Sequence, residues 1–201
     1  MTHRPANAQR AAAILAVAWG ALWHLTPATA ADAEAGRKKA GGCVACHGPN
    51  GNSTNPAVPS LAAQPGQFIV TQLFMFRDGK RKDPQMSPVA ANLTNADLDD
   101  LAAYFSAQRP TVAGGKPPAD RMAAGRELAQ RHNCTACHGP QLAGQQHIPR
   151  LAGQQAEYLR TQLHGFKAST RFDMDGVMTS AAQPLSSADI DALADYLAGL
   201  D

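Results

Sequence analysis

Apolar residues recur with helical spacing in four stretches of the chain, and these form two matching pairs. Thr94 and Ser186 each precede an i, i+3, i+4, i+7 stripe, and Asp97 and Asp189, three residues further on, complete a capping box. The stripe positions are Leu98, Leu101, Ala102 and Phe105, then Ile190, Leu193, Ala194 and Leu197. The other pair comprises Phe68, Ile69, Leu73 and Phe76, then Tyr158, Leu159, Leu163 and Phe166. Since no run alternates with the period of two of a half-buried strand, the pattern predicts an all-α protein without a substantial sheet.

The paired stretches belong to an internal repeat of about 91 residues. Pro-Ser-Leu-Ala-Ala-Gln at 59–64 returns as Pro-Arg-Leu-Ala-Gly-Gln at 149–154, and Gly36 in the first half corresponds to Gly125 in the second. We expect these two glycines to let the first helix of each half approach the last helix closely.

Between the halves, residues 110–118 contain three prolines and two glycines, which is the composition of a linker. The repeat and the linker together predict two domains, residues 31–109 and residues 119–201. Each has only about 80 residues, a size at which a chain struggles to bury enough apolar surface on its own.

The first thirty residues have the composition of an export signal. Arg4 and Arg10 form a basic start, residues 11–25 contain no Lys, Arg, Asp or Glu, and Ala28-Thr29-Ala30 supplies small residues for cleavage. The apolar run is shorter than the ~20 residues that cross a bilayer as a helix. We therefore expect cleavage near Ala30 and a periplasmic protein, with an uncleaved anchor as the alternative.

Removing this segment balances the charge of the protein. The whole chain has 18 Lys+Arg and 16 Asp+Glu, and the first thirty residues hold two of the bases and no acid, which leaves 16 of each. Because no domain is strongly basic, nucleic acid is not an expected partner.

All four cysteines lie in two copies of one motif: residues 43–47 read Cys-Val-Ala-Cys-His and residues 134–138 read Cys-Thr-Ala-Cys-His. Cys-x-x-Cys-His is the attachment site of a c-type haem, in which two sulfurs about one helical turn apart bond the porphyrin and the histidine ligates the iron. The sequence therefore predicts two covalently bound haem c groups. The residues concerned are Cys43, Cys46 and His47, then Cys134, Cys137 and His138.

Two other uses of the cysteines stay open at this point. A thioredoxin-like dithiol expects a strand–helix unit and needs no histidine after the second cysteine. A zinc site built from both motifs would span about 91 residues, against the ~12–20 of the usual zinc patterns.

The sixth ligand of each iron decides between small-molecule binding and electron transfer. His47 is the only histidine in residues 31–109, so the candidates there are Met75, which lies on a predicted helix and is expected in the core, and Met86, which lies in a proline-rich loop. Met178 lies 18 residues before Tyr196, as Met86 lies 18 before Tyr104. We therefore predict Met86 and Met178 as sixth ligands. The other candidates in the second domain are Met174, His132, His147 and His164.

Prolines recur shortly after both predicted proximal histidines, Pro59 after His47 and Pro149 after His138. A backbone carbonyl there could accept the Nδ1 proton and fix the tautomer of the imidazole. An ordinary turn proline is the alternative.

A basic run precedes Met86 and consists of Arg77, Lys80, Arg81 and Lys82. It could receive the propionates of the first haem or meet an acidic partner. A solvated loop is the favoured interpretation.

Two tandem haem motifs, each followed by Met-x-x-x-Ala from Met86 and from Met178, together with the repeated Leu-Ala-x-Gln, resemble dihaem cytochrome c4. The likeness covers essentially the whole chain after residue 30. It implies two class I cytochrome c folds, each wrapped around one haem, with the propionates facing each other. It also implies His/Met ligation of both irons and a hydrogen bond from each proximal histidine to the carbonyl oxygen of Pro59 or Pro149.

The resemblance implies an electron carrier between periplasmic respiratory donors and terminal oxidases, with no catalytic residue. Its partners would be periplasmic redox proteins and membrane oxidase or reductase complexes, and any membrane association would arise through them. A dihaem subunit of a larger dehydrogenase, such as a flavocytochrome c sulfide dehydrogenase, is the alternative function. A haem peroxidase is a further alternative, and it would need a vacant or displaceable iron site.

Overall fold

The computed structural model describes residue 1, residues 31–112 and residues 116–201. The predicted export signal, apart from Met1, and part of the predicted linker lie outside the described residues. Within the described ranges the chain is helical, and its one β pairing is an isolated bridge between Gln145 and Ile148. The all-α prediction is confirmed.

Five α-helices in the first half are repeated in the same order in the second half. The first five are α1 (Ala33–Lys39), α2 (Val44–His47), α3 (Gly66–Arg77), α4 (Met86–Ala90) and α5 (Asn95–Ser106). Their counterparts are α6 (Ala119–Arg131), α7 (Cys134–His138), α8 (Ala156–Lys167), α9 (Val177–Ala182) and α10 (Ser187–Ala198). Short 3₁₀ helices cover Ala40–Gly42, Pro49–Gly51 and Pro140–Leu142.

The starts of the last helices in the two halves are fixed by the predicted capping boxes. Thr94 Oγ1 accepts from Asp97 N at 3.2 Å, and Thr94 N donates to Asp97 Oδ2 at 2.8 Å. Ser186 and Asp189 make the same pair of bonds at 3.1 and 2.8 Å. Each box satisfies backbone donors that the first turn of a helix leaves free.

The first helix of each half crosses the last helix at the predicted glycine. A Cβ atom on Gly36 would overlap the carbonyl oxygen of Asp100 and lie 2.8 Å from Tyr104 Cβ. A Cβ atom on Gly125 would lie 2.5 Å from the carbonyl oxygen of Ala192. The expectation of close approach is confirmed, because only a residue without a side chain fits at these crossings.

The two halves pack against each other through the segments that follow their histidine motifs. Tyr158 N donates to the carbonyl oxygen of Pro56 at 3.1 Å, and the Gln155 side chain donates to the carbonyl oxygen of Ser53 at 2.6 Å. This contact places the two repeated segments that begin with Pro59 and Pro149 next to each other. No helix within the described ranges has both the length and the apolarity to cross a membrane.

Candidate haem-binding sites

The cysteine motifs lie on the shortest helices of each half, α2 and α7. Cys43 stands at the N-cap of α2, and its carbonyl accepts from His47 N at 2.9 Å, so the motif forms a single helical turn. No disulfide joins the four cysteines; Cys43 and Cys134 are half-buried, and Cys46 and Cys137 are exposed. Burial raises the pKa of the Cys43 and Cys134 thiols in the chain before any group is attached to them.

Both motif histidines are buried and hydrogen-bonded to the predicted prolines. His47 Nδ1 lies 2.8 Å from the carbonyl oxygen of Pro59, and His138 Nδ1 lies 2.9 Å from that of Pro149. A carbonyl can only accept, so each Nδ1 is the donor and each Nε2 keeps a free lone pair. Burial lowers the pKa of both imidazoles, against a smaller opposite effect of the proline carbonyls, and so favours the neutral ring that can ligate a metal.

One cavity of about 850 Å³ serves both halves, and both histidines line it. Met86 and Met178 line the same cavity, as do Cys43, Cys46 and Cys137. Apolar side chains of α3 and α8, among them Ile69 and Leu159, form much of the remaining wall. Its volume falls in the upper part of the range of pockets for small molecules and cofactors.

Met86 and Met178 stand at the start of short helices, although the sequence predicts a loop around Met86. Met86 opens α4, and Met178 is the second residue of α9. The expected loop is wrong because a carboxylate caps each turn: Asp83 Oδ1 accepts from Met86 N and Asp173 Oδ2 accepts from Met178 N, both at 2.8 Å. Both methionine side chains are half-buried.

The other candidates for the sixth iron ligand are buried in the core, exposed at the cavity edge or absent from the cavity wall. Met75 is only 3 % exposed and packs in the core, as expected, although it also reaches the cavity wall. Met174 is 66 % exposed at the cavity edge, and His147 is exposed there as well. His132 and His164 do not line this cavity.

Two arginines from opposite halves meet at the cavity. Arg81 donates to Gln162 Oε1 at 3.0 Å and to the Tyr158 hydroxyl at 3.3 Å, and Arg171 donates to the same Gln162 oxygen at 2.6 Å. Their guanidiniums stack over equivalent rings, Arg81 over Phe76 at 4.5 Å and Arg171 over Phe166 at 4.4 Å. The prediction of a solvated loop is therefore wrong for Arg81, although Lys80 and Lys82 are exposed.

The two guanidiniums have little neutralising charge nearby, since Asp173 acts on Arg171 only through space. Neither makes a salt bridge in the described part of the chain, and the buried Nε of Arg171 has no hydrogen-bond partner there. Burial lowers the pKa of Arg171 to about 10. Burial alone would raise the pKa of the Tyr158 phenol, but the charges of Arg81 and Arg171 lower it instead. A buried positive pair of this kind fits an anionic group such as the propionates of a haem.

The sequence motifs give no role in the site to Arg171, to Tyr158 or to the two capping carboxylates. The repeat register carries a signal for the arginine pair, because Arg81 and Arg171 each follow an equivalent phenylalanine by five residues. The chemistry of the whole donor set fits haem c: paired thiols, a neutral imidazole, a thioether, an apolar wall and two cations without a salt bridge.

The helical fold and this pair of sites define a c-type cytochrome. The family model for cytochrome c matches residues 33–108 and residues 122–201, and each matched segment contains one Cys-x-x-Cys-His motif. The cytochrome c4 of Pseudomonas aeruginosa is 39% identical over 181 residues, which is 85% of this chain and 90% of that protein. The chain belongs to the cytochrome c4 family. It carries two covalently bound haem c groups and is an electron-transfer protein rather than an enzyme, as predicted.

The chain is also similar to a solved structure and to a second protein of named function. The crystal structure of reduced recombinant cytochrome c4 from Pseudomonas stutzeri matches with a TM-score of 0.80 and 35% identity, covering 86% of this chain and 100% of that one. A thiosulfate dehydrogenase electron acceptor from Thiomonas intermedia is 37% identical over 198 residues, which is 92% of this chain and 89% of that protein. The expected fold of two cytochrome c domains is confirmed.

Proposed function

We propose that this protein carries electrons between periplasmic respiratory donors and terminal oxidases, with each iron held between a histidine and a methionine. Pro59 and Pro149 fix the two histidines through their carbonyl oxygens. The proposed attachment cysteines and axial ligands are Cys43, Cys46, His47 and Met86 for the first haem and Cys134, Cys137, His138 and Met178 for the second.

The observation that carries this proposal is the single cavity lined by His47, Met86, His138 and Met178. When bound, a haem supplies reversible one-electron chemistry at its iron. His47 with Met86, and His138 with Met178, would each hold one iron, so that electron exchange would need no ligand to enter or leave. Arg81 and Arg171 would offset the negative charge of the propionates in the wall between the two sites.

Carbon monoxide separates a closed carrier from an enzyme with an open iron. We expect the spectrum of the reduced protein to stay unchanged under carbon monoxide, since Met86 and Met178 occupy both sixth positions. A shifted spectrum at either haem would favour a peroxidase-like site. A Met86→Ala variant serves as the positive control, because it leaves one position for the gas to enter.

A second candidate function is supported by the relative from Thiomonas intermedia, which is named as a thiosulfate dehydrogenase electron acceptor. In that case the protein receives electrons from one dedicated dehydrogenase rather than from a respiratory complex. Rapid-mixing reduction of the oxidised holoprotein, by a thiosulfate dehydrogenase with thiosulfate or by a quinol-oxidising complex, decides between the two donors. The donor that reduces it at the higher second-order rate is the favoured partner.

The periplasmic location and the domain limits belong to the same proposal. We take residues 1–30 as an export signal, residues 31–109 and 119–201 as the two domains, and residues 110–118 as the linker. The mass of the holoprotein purified from a periplasmic extract tests the signal, since cleavage after Ala30 leaves a chain that starts at Ala31. A mass that includes the leader would contradict cleavage.

A further inference from the structure

The side chains of two glutamines, one in each half, form hydrogen bonds with the backbone of the opposite half. Gln64 Nε2 donates to the carbonyl oxygen of Arg150 at 2.9 Å, and Gln64 Oε1 accepts from Arg150 N at 3.0 Å. Gln154 binds Ser60 in the same way, at 2.9 and 2.7 Å. Both glutamines are buried, with 3 % and 5 % of their surface exposed. The repeat therefore provides two reciprocal amide clamps.

Each clamp acts on the peptide that holds a proximal histidine. The N–H of Ser60 and the carbonyl of Pro59 belong to one planar peptide unit, and that carbonyl accepts from His47 Nδ1 at 2.8 Å. On the other side, the N–H of Arg150 shares a peptide unit with the Pro149 carbonyl. A continuous chain of hydrogen bonds thus runs from a glutamine of one domain, through one peptide, to the proximal histidine of the other.

Such a chain affects the histidine in a defined direction. When the N–H of a peptide is bound by a good acceptor, its carbonyl becomes a stronger acceptor, because linked hydrogen bonds polarise one another. A stronger acceptor at Nδ1–H makes the imidazole a more basic ligand, which favours the oxidised metal. The clamp also fixes the plane of the peptide and hence the orientation of the ring.

We propose that Gln64 and Gln154 are positioning residues that set, crosswise, the reduction potential of the haem in the opposite domain. Gln154 of the second domain acts on the haem ligated by His47, and Gln64 of the first domain acts on the haem ligated by His138. This inference rests on the proposed histidine ligation. It gives each haem a direct link to the packing of the other domain.

The test replaces one clamp with a side chain of similar shape and no amide. In holoprotein with Gln154→Met, the potential of the first haem should rise, and the His47 Nδ1–H signal in the NMR spectrum of the reduced ¹⁵N-labelled protein should shift. The second haem and His138 should stay as in the wild type. Gln64→Met is the mirror experiment and should move only the second haem and His138.

Gln155→Met is the matched control, since Gln155 is also buried and also crosses the interface, but binds Ser53 rather than the peptide before Ser60. The variant removes only the side-chain bond to Ser53 and keeps the Gln155 backbone N–H, which donates to Gln154 Oε1 at 3.0 Å. Both clamps therefore keep their partners, and both Nδ1–H signals should stay in place. Equal shifts of both haems in Gln154→Met, or shifts that Gln155→Met reproduces, would overturn the proposal and leave the clamps a purely structural role.

Gln154→Met and Gln64→Met are independent tests. Each variant alone distinguishes a change confined to the haem of the opposite domain from a change in both haems. Failure of the histidine ligation itself shows separately, as the absence of an Nδ1–H signal from a haem-bound histidine in the wild-type protein.

Discussion

At the scale of single residues, one carboxylate fixes the backbone of each proposed methionine ligand. Asp83 Oδ1 accepts from Gln85 N at 2.9 Å and from Met86 N at 2.8 Å, and it thereby holds the first turn of α4. Asp173 does the same for Met178 in α9. A thioether is a weak ligand on a flexible side chain, so the fixed backbone decides how often its sulfur faces the iron.

Replacing Asp83 should therefore loosen the methionine without removing it. We expect Asp83→Ala to lower the temperature at which the methionine-to-iron absorption band of the oxidised protein is lost. The reason is that loss of a helix cap destabilises the helix by about 1 kcal/mol. Asp83→Asn keeps an acceptor oxygen and should restore most of the loss. Asp99→Ala, an exposed aspartate of α5, is the control, and an equal effect there would argue against capping.

The covalent chemistry could be predicted from the sequence residue by residue, because Cys-x-x-Cys-His is local and its ligands are adjacent in the chain. Asp83 and Asp173 could not, since each caps a helix of five or six residues that has no apolar period to reveal it. For the same reason the sequence predicts a loop around Met86.

At the scale of the elements, the helix crossings leave no room for a side chain. We expect Gly36→Ala to destabilise the holoprotein by about 3 kcal/mol, because the new methyl group meets the backbone of Asp100 rather than a movable side chain. Denaturant unfolding followed by circular dichroism measures the change. Gly41→Ala is the matched control: its Cβ would have nothing within 4 Å, and a similar loss there would refute the steric explanation.

The cap of α5 links stability to pH. Hydrogen bonds from Lys39 and then from Thr94 hold the pKa of Asp97 well below its usual range. The unfolded chain, with an ordinary Asp pKa of about 3.9, takes up the proton first as pH falls. The contribution of Asp97 is therefore complete above pH ~4 and lost as pH drops towards the folded pKa.

Asp97→Asn should consequently flatten the dependence of unfolding free energy on pH between about pH 5 and pH 3. Urea unfolding of the wild type and the variant across this range measures the slope. Asp99→Asn should keep the wild-type slope, and a variant at Asp97 that also keeps it would contradict the assignment.

The elements differ in how far the sequence predicts them. Helices α3, α5, α8 and α10 have 12 residues each, long enough for an apolar stripe, and the capping boxes mark two of their starts. The arrangement of Arg81, Arg171 and Tyr158 depends on how the two domains dock. No pattern within one helix encodes that docking, so only the three-dimensional structure shows it.

At the scale of the whole molecule, the two small domains share one cavity between them, and the haem groups complete their cores. We expect the apoprotein, made by Cys→Ser replacement in both motifs, to be largely unfolded. A cavity of about 850 Å³ would otherwise be left without packing contacts. Thermal circular dichroism measures this, and a cooperative, native-like melt without haem would contradict it.

Ligation of both irons by Met86 and Met178 is the central claim, and the absorption band between methionine sulfur and ferric iron tests it most directly. Measured per haem in the oxidised protein, the band should fall to about half in Met86→Ala and in Met178→Ala and vanish in the double variant, because each methionine accounts for one of two haems. Met174→Ala should leave it at full strength. An unchanged band in both single variants, or a loss on replacing Met174, would contradict the account.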